Sequence, residues 1–172
     1  MNARTFGLRW TFWLWVTAGV LLLVPLLAMQ VTDAVAWDAF DFLAAAALFG
    51  IVCGGVDLAS RSGRDAVCTE AAASALLGGL LIVWANLAVG IVGPEGSPLN
   101  LLFFAVVALG VALAAASRFR RAGLARAMTA TAVLQVGAAA LAAVLSGDPG
   151  ASYAALMAAP FLLSAWLFRR GA

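Results

Sequence analysis

The sequence predicts an all-α integral membrane bundle of six transmembrane helices, with both termini on the cytoplasmic side and short loops. Three observations carry that reading. Of 172 residues, 65% are hydrophobic and 10% charged. A water-soluble domain is closer to a quarter charged, so the surface of this chain must face lipid. Six apolar runs are each of the length, about 20 residues, that a helix needs to cross roughly 30 Å of hydrocarbon. They are continuous rather than alternating, and a segment in lipid must satisfy its own backbone, so they are helices and not barrel strands. Finally, the arginines fall in every second connection.

The spans follow in order, and together they make residues 1–172 one transmembrane domain. Span one runs from Trp10 to Met29, after Arg4 and Arg9. Its basic start, apolar run and "AVA" at Ala34 to Ala36 resemble a cleavable leader. The run is about twice the length of a leader core and Asp33 is poor in a cleavage region, so the span is expected to be retained. Span two runs from Phe42 to Ser60 and contains Gly50 and Gly54, a G-x-x-x-G match that lets another helix come close. Span three runs from Ala66 to Val92. Ala72, Ala75, Gly79, Ile82, Asn86, Gly90 and Gly93 share one small face there, while Glu70, Ser74, Leu77 and Leu81 lie opposite.

Span four runs from Pro98 to Ser117. Ser97 is placed to cap it, with Pro98 at its first helical position. Span five runs from Leu124 to Leu145, with Met128, Thr131, Gln135, Ala138 and Ala142 on one face; Gln135 is expected to make an interhelical hydrogen bond. Span six runs from Ser152 to Phe168, with Pro160 inside it. Trp10, Trp13 and Trp166 fall near one interface and Trp37 in the first loop on the other side, where amphipathic rings favour the headgroup layer.

Orientation follows from the ten basic residues, all of them arginine. Arg4 and Arg9, then Arg61 and Arg64, then Arg118, Arg120, Arg121 and Arg126, then Arg169 and Arg170 all lie on one side. The opposite loops carry Asp33, Asp38 and Asp41, then Glu95, then Asp148. Positive charge is retained on the cytoplasmic side. The run "SRFRRAGLARA" is read as topology plus attraction to anionic lipid headgroups, or as a dock for an acidic partner. It is not read as a nucleic-acid patch, which needs a wider soluble surface.

The missing residue types exclude chemistry. The chain has no histidine and no lysine, and two cysteines, Cys53 and Cys68, in no metal-ligand spacing. Histidine-ligated metals and haem, a Ser-His-Asp triad and Schiff-base cofactors are therefore out. No catalytic residue, metal or cofactor is expected, and both cysteines are read as packing residues.

Polar groups within lipid are costly and are the candidate sites. Asp57 and Arg61 stand at i, i+4, and Arg64 is close enough in sequence to reach Glu70. The favoured reading is an ion-pair lock on the hairpin of spans two and three; the sharper one is a proton or cation relay through Asp57 or Glu70. Gln135 completes this set. A second set, Asn86, Glu95 and Asn100 with Asp33, Asp38 and Asp41, gathers at the opposite end and suggests an outer vestibule.

The segments "ASRSGRDA", "WANLAVGIVGPEGSPLNLLFFAVVALGV" and "SRFRRAGLARAMTATAVLQ" resemble a group of small multi-span bacterial inner-membrane proteins. The similarity covers Ala59 to Gln135, its most specific piece being W-x-N-L-A-V-G-I-x-G before a P-L-N turn. It implies a bacterial inner-membrane location and assigns no functional residue. The long, tryptophan-rich first span departs from that group.

Three functions are consistent with these residues. The first is a structural or accessory subunit that forms a homo-oligomer or joins a larger membrane complex, with membrane lipid as its other partner. The second is a small transporter or channel for an ion, proton or small solute, with spans one to three and four to six as inverted halves. The most remote is an intramembrane enzyme.

Overall fold

The computed structural model describes residues 3–62, 65–93 and 96–170. Among these the chain is all-helical and has no strands. Its helices are α1 (Ala3–Val31), α2 (Ala39–Arg61), α3 (Ala66–Ala88), α4 (Leu101–Ala116), α5 (Arg121–Ser146) and α6 (Ala159–Arg170). Short 3-10 segments, Pro98–Asn100 and Pro149–Ala158, lead into α4 and α6. Counting those segments with the helices they precede, all six are long and apolar enough to cross a bilayer. The chain is a multi-pass membrane protein.

Two compact units divide it, Met1–Gly63 and Arg64–Ala172. In the first, α1 packs on α2. Among the described residues, Thr11, Ala18, Ala45, Cys53 and Val56 are buried there, and the Cys53 thiol approaches the carbonyl oxygen of Leu14 at 3.7 Å. The entry to α2 is built by a reciprocal cap. Asp38 Oδ1 accepts from the N–H groups of Phe40 and Asp41 at 2.7 and 3.0 Å, and Asp41 Oδ2 accepts from the Asp38 N–H at 2.9 Å. Trp37 meets Phe42 edge-on at 5.2 Å. A residue just before a cap packed on the fourth helical residue fixes the angle at which the chain enters. Gly50 and Gly54 have open space where a Cβ would stand, so α1 does not use this small pair.

In the second unit each helix touches two neighbours, in the cyclic order α3, α4, α5, α6. Helices gain no hydrophobic drive from leaving lipid for one another, so they associate through close packing and hydrogen bonds. Both are present. A Cβ on Gly78 of α3 would stand 3.0 Å from the Phe161 ring and 3.1 Å from Pro160, and one on Gly110 of α4 would stand 2.8 Å from Thr131 Oγ1. The core around these crossings includes Ala71, Ile82, Phe103, Met128, Ala139 and Phe161.

Two spans differ from the sequence reading. α3 ends at Ala88 rather than Val92, because Gly90 and Gly93 take left-handed backbone angles (φ 71° and 65°) that a helix cannot continue. Gly90 and Gly93 therefore do not belong to the small helical face of Ala72, Ala75, Gly79, Ile82 and Asn86. The last span is α-helical only from Ala159. Pro160 lacks the N–H that an α-helix would direct at Leu156, and the Leu156 carbonyl accepts instead from Ala159. Twelve α-helical residues reach about 18 Å, so α6 crosses the bilayer only with the 3-10 turns ahead of it. Ten residues in that form add about 20 Å.

A candidate site of buried amides and hydroxyls

The polar groups inside the second unit are Asn86, Asn100, Thr131, Gln135 and Ser164, all buried. Each lies on a face that packing determines. Gln135 shares its α5 face with Met128, Thr131, Ala138 and Ala142, and all five are buried. Its Nε2 donates to the carbonyl oxygen of Ala154 at 2.9 Å, inside the 3-10 segment. Its Oε1 has no partner among the described residues. Thr131 Oγ1 turns back to the Ala127 carbonyl at 2.9 Å.

Asn86 is in the last turn of α3. Its Nδ2 donates to the Ile82 carbonyl at 2.9 Å, and its Oδ1 has no partner among the described residues. Asn100 does different work. Its Oδ1 accepts from the N–H groups of Ile91 and Val92, at 3.0 and 2.9 Å, and so ties down the chain between α3 and α4. Ser97 makes no side-chain cap; its carbonyl accepts from the Asn100 N–H instead.

Two hydroxyls join α3 to the last span. Ser74 Oγ donates to the Pro160 carbonyl and Ser164 Oγ to the Ala71 carbonyl, both at 2.7 Å. Helical period places Ser74 with Glu70, Leu77 and Leu81, opposite the small face. Ser74 lies at the edge of its face, close enough to α6 to bond it, while the other three are exposed.

The charged candidates are separated. Asp57 pairs with Arg61 at 2.9 Å, but both belong to α2, so the contact braces one helix and does not join two. Glu70 is exposed and makes no ion pair among the described residues. Arg64 and Glu95 lie outside the described residues. The ion pair that links helices is Asp65 with Arg121, at 2.6 Å, between the starts of α3 and α5. Asp65 Oδ1 also accepts the Cys68 N–H at 3.0 Å and so caps α3. The Arg121 guanidinium, followed by the Cys68 N–H, holds the Asp65 carboxyl below the usual carboxylate range.

The second candidate set divides between the units. Asp33, Asp38 and Asp41 belong to Met1–Gly63, and Asn86 and Asn100 to Arg64–Ala172. The carboxylates of Asp38 and Asp41 are engaged in the α2 cap. Asp33 is exposed.

Sequence reasoning missed Asp65, Arg121, Ser74 and Ser164 as joining residues. Asp65 had a readable signal, an aspartate directly before a long apolar run. Arg121 had none, because its partner lies 56 residues earlier, at Asp65. Arranged in this way, the interior holds helices together and leaves two buried amide oxygens, Asn86 Oδ1 and Gln135 Oε1, without a hydrogen bond among the described residues. Comparison of the chain with family models, curated proteins and solved structures finds no match.

Proposed function

We propose that this protein is a non-enzymatic structural or accessory subunit of the bacterial inner membrane, with both termini cytoplasmic, that oligomerises or serves a larger membrane complex. The observation that carries this reading is how the interior polar groups are used. Ser74, Ser164, Gln135 and Asn100 each bond the backbone of another segment, and Gly78 and Gly110 bring helices into direct contact. Such groups build a rigid unit. The absence of histidine and lysine from the sequence supports the non-enzymatic part. The one-sided arginines support the orientation, which reporter fusions to each terminus test.

Purification from native membranes in mild detergent, followed by native mass spectrometry, tests the role. A stoichiometric second protein or a symmetric oligomer is the expected result. A bare monomer that conducts protons or ions in liposomes overturns it.

One observation favours a small transporter or channel instead. Two acceptor oxygens, Asn86 Oδ1 and Gln135 Oε1, are buried without partners among the described residues, and polar groups left open in a membrane interior mark solute and ion pathways. Flux through the reconstituted protein that Gln135→Leu abolishes without loss of folding would select this reading.

A further inference from the structure

An open groove of about 360 Å³ runs between the end of α4 and the start of α5. Leu113, Ala116, Gly123, Ala127 and Ala130 form its apolar walls, and Ser117 and Arg126 its polar edge. The groove is shaped by the turn that joins the helices. Arg118 and Phe119 both take left-handed angles (φ 51° and 56°), and a Cβ on Gly123 would stand 2.6 Å from the Ser117 Cβ.

The charge at its edge is not compensated. Arg126 lies within the apolar span Arg121–Ser146, where a cation is costly. Among the described residues its hydrogen bond runs from Nε to the Ala122 carbonyl, at 3.3 Å, which directs the side chain back toward the membrane surface. Arg118 and Arg120 are exposed in the turn, and among the described residues none of these three arginines meets an acid. Of the four arginines from Arg118 to Arg126, Arg121 is the one paired among the described residues, with Asp65. The α5 helix thus begins with no acid in its first turn, although a helix start favours negative charge.

We propose that this groove is a binding site for an anionic phospholipid, with one acyl chain along Ala116, Ala127 and Ala130 and the phosphate held by Arg126 together with the turn arginines. Charge complementarity selects this occupant. The walls take hydrocarbon, and the edge presents the Arg126 guanidinium, a group that binds phosphate oxygens in pairs. A basic pocket between membrane helices at the headgroup level is the form that lipid recognition takes. The site requires only that the helices span a bilayer. It does not depend on the accessory role, and it is read by lipid retention rather than by partner recovery or flux.

Native mass spectrometry of the full chain with added phosphatidylglycerol or phosphatidylcholine tests the site. The wild type is expected to retain phosphatidylglycerol preferentially. Arg126→Gln is expected to lower that retention about fivefold or more, and Ala130→Leu, which fills the groove and leaves every charge in place, is expected to lower it similarly. Arg120→Gln serves where Arg126→Gln does not fold, and should reduce the preference in the same direction. Equal retention of the two lipids overturns the proposal. So does a loss on removing charge with none on filling the groove, which means diffuse attraction to the arginine-rich surface. A dimer that excludes lipid from the groove overturns it as well, by assigning the face to a second copy of the chain.

Discussion

Gln135 donates from Nε2 to the carbonyl oxygen of Ala154 at 2.9 Å, and this bond ties α5 to the 3-10 segment that opens the last span. The contact joins the two features that make that span unusual. Runs of 3-10 helix longer than a few residues are uncommon, and this one continues from Pro149 to Ala158. It is bounded by Pro160 on one side and supported by the Gln135 amide on the other.

Truncating Gln135 should therefore destabilise the second unit. Gln135→Ala removes the bond and leaves a void, and is expected to cost about 2–3 kcal/mol. Gln135→Leu should cost less, because it fills the space and also removes the buried Oε1 that has no partner. Reversible unfolding in mixed micelles gives both values. Equal losses for the two variants would show that the orphan oxygen carries no penalty.

Asn100 holds the turn between α3 and α4 through one oxygen and two N–H groups. Asn100→Ala leaves both donors without that acceptor and is expected to cost about 2 kcal/mol or more. Asn100→Asp keeps an oxygen in place and should retain much of the stability. Limited proteolysis near Gly93 and Gly96 offers a second readout, with faster cleavage expected in the alanine variant.

Acid should loosen the start of α3. Arg121 and the Cys68 N–H lower the Asp65 pKa in the folded state, so the unfolded chain binds its proton at higher pH. The contribution is fully present above the unfolded carboxylate value and is lost as pH falls through the lowered folded one. Melting temperature is thus expected to drop on acidification in the wild type, and to change less in Asp65→Asn. Since the pair is open to solvent, raised salt should shrink the effect.

At the crossing of α4 and α5, Gly110→Ala should destabilise by about 1–3 kcal/mol, since its Cβ would stand 2.8 Å from Thr131 Oγ1 and 3.0 Å from Cγ2. Combining it with Thr131→Ala removes both atoms and should recover part of the loss. A double-mutant cycle on thermal unfolding measures the recovery. Strict additivity would mean that the two residues are not in contact.

Fold class was legible because it depends on quantities that a sequence carries directly, namely the length of apolar runs and the helical period. The buried face of α5, from Met128 to Ala142, followed from spacing alone. What was illegible depends on pairing between distant segments. Asp57 with Arg61 is visible at i, i+4, whereas Asp65 with Arg121 requires knowing that α3 and α5 begin at the same level. Asp38 and Asp41, read as members of a vestibule, are a cap followed three residues later by an acid, a pattern that sequence displays and that has a local explanation. The 3-10 start of the last span was hidden because apolarity is indifferent to the kind of helix. Only Pro160 hinted at it.

The composition of α5 bears on why the second unit holds together in lipid. Six of its ten buried residues are alanine: Ala125, Ala127, Ala132, Ala138, Ala139 and Ala142. Alanine has no rotamers to freeze, so ordering these positions costs almost no side-chain entropy, whereas a long side chain gives up about 1–2 kcal/mol on being fixed. In water that loss is offset by the release of apolar surface from solvent. Between lipid and protein no such release occurs. This helix thus presents its neighbours with surfaces that are already ordered before contact, and weak dispersion forces are enough to keep them there.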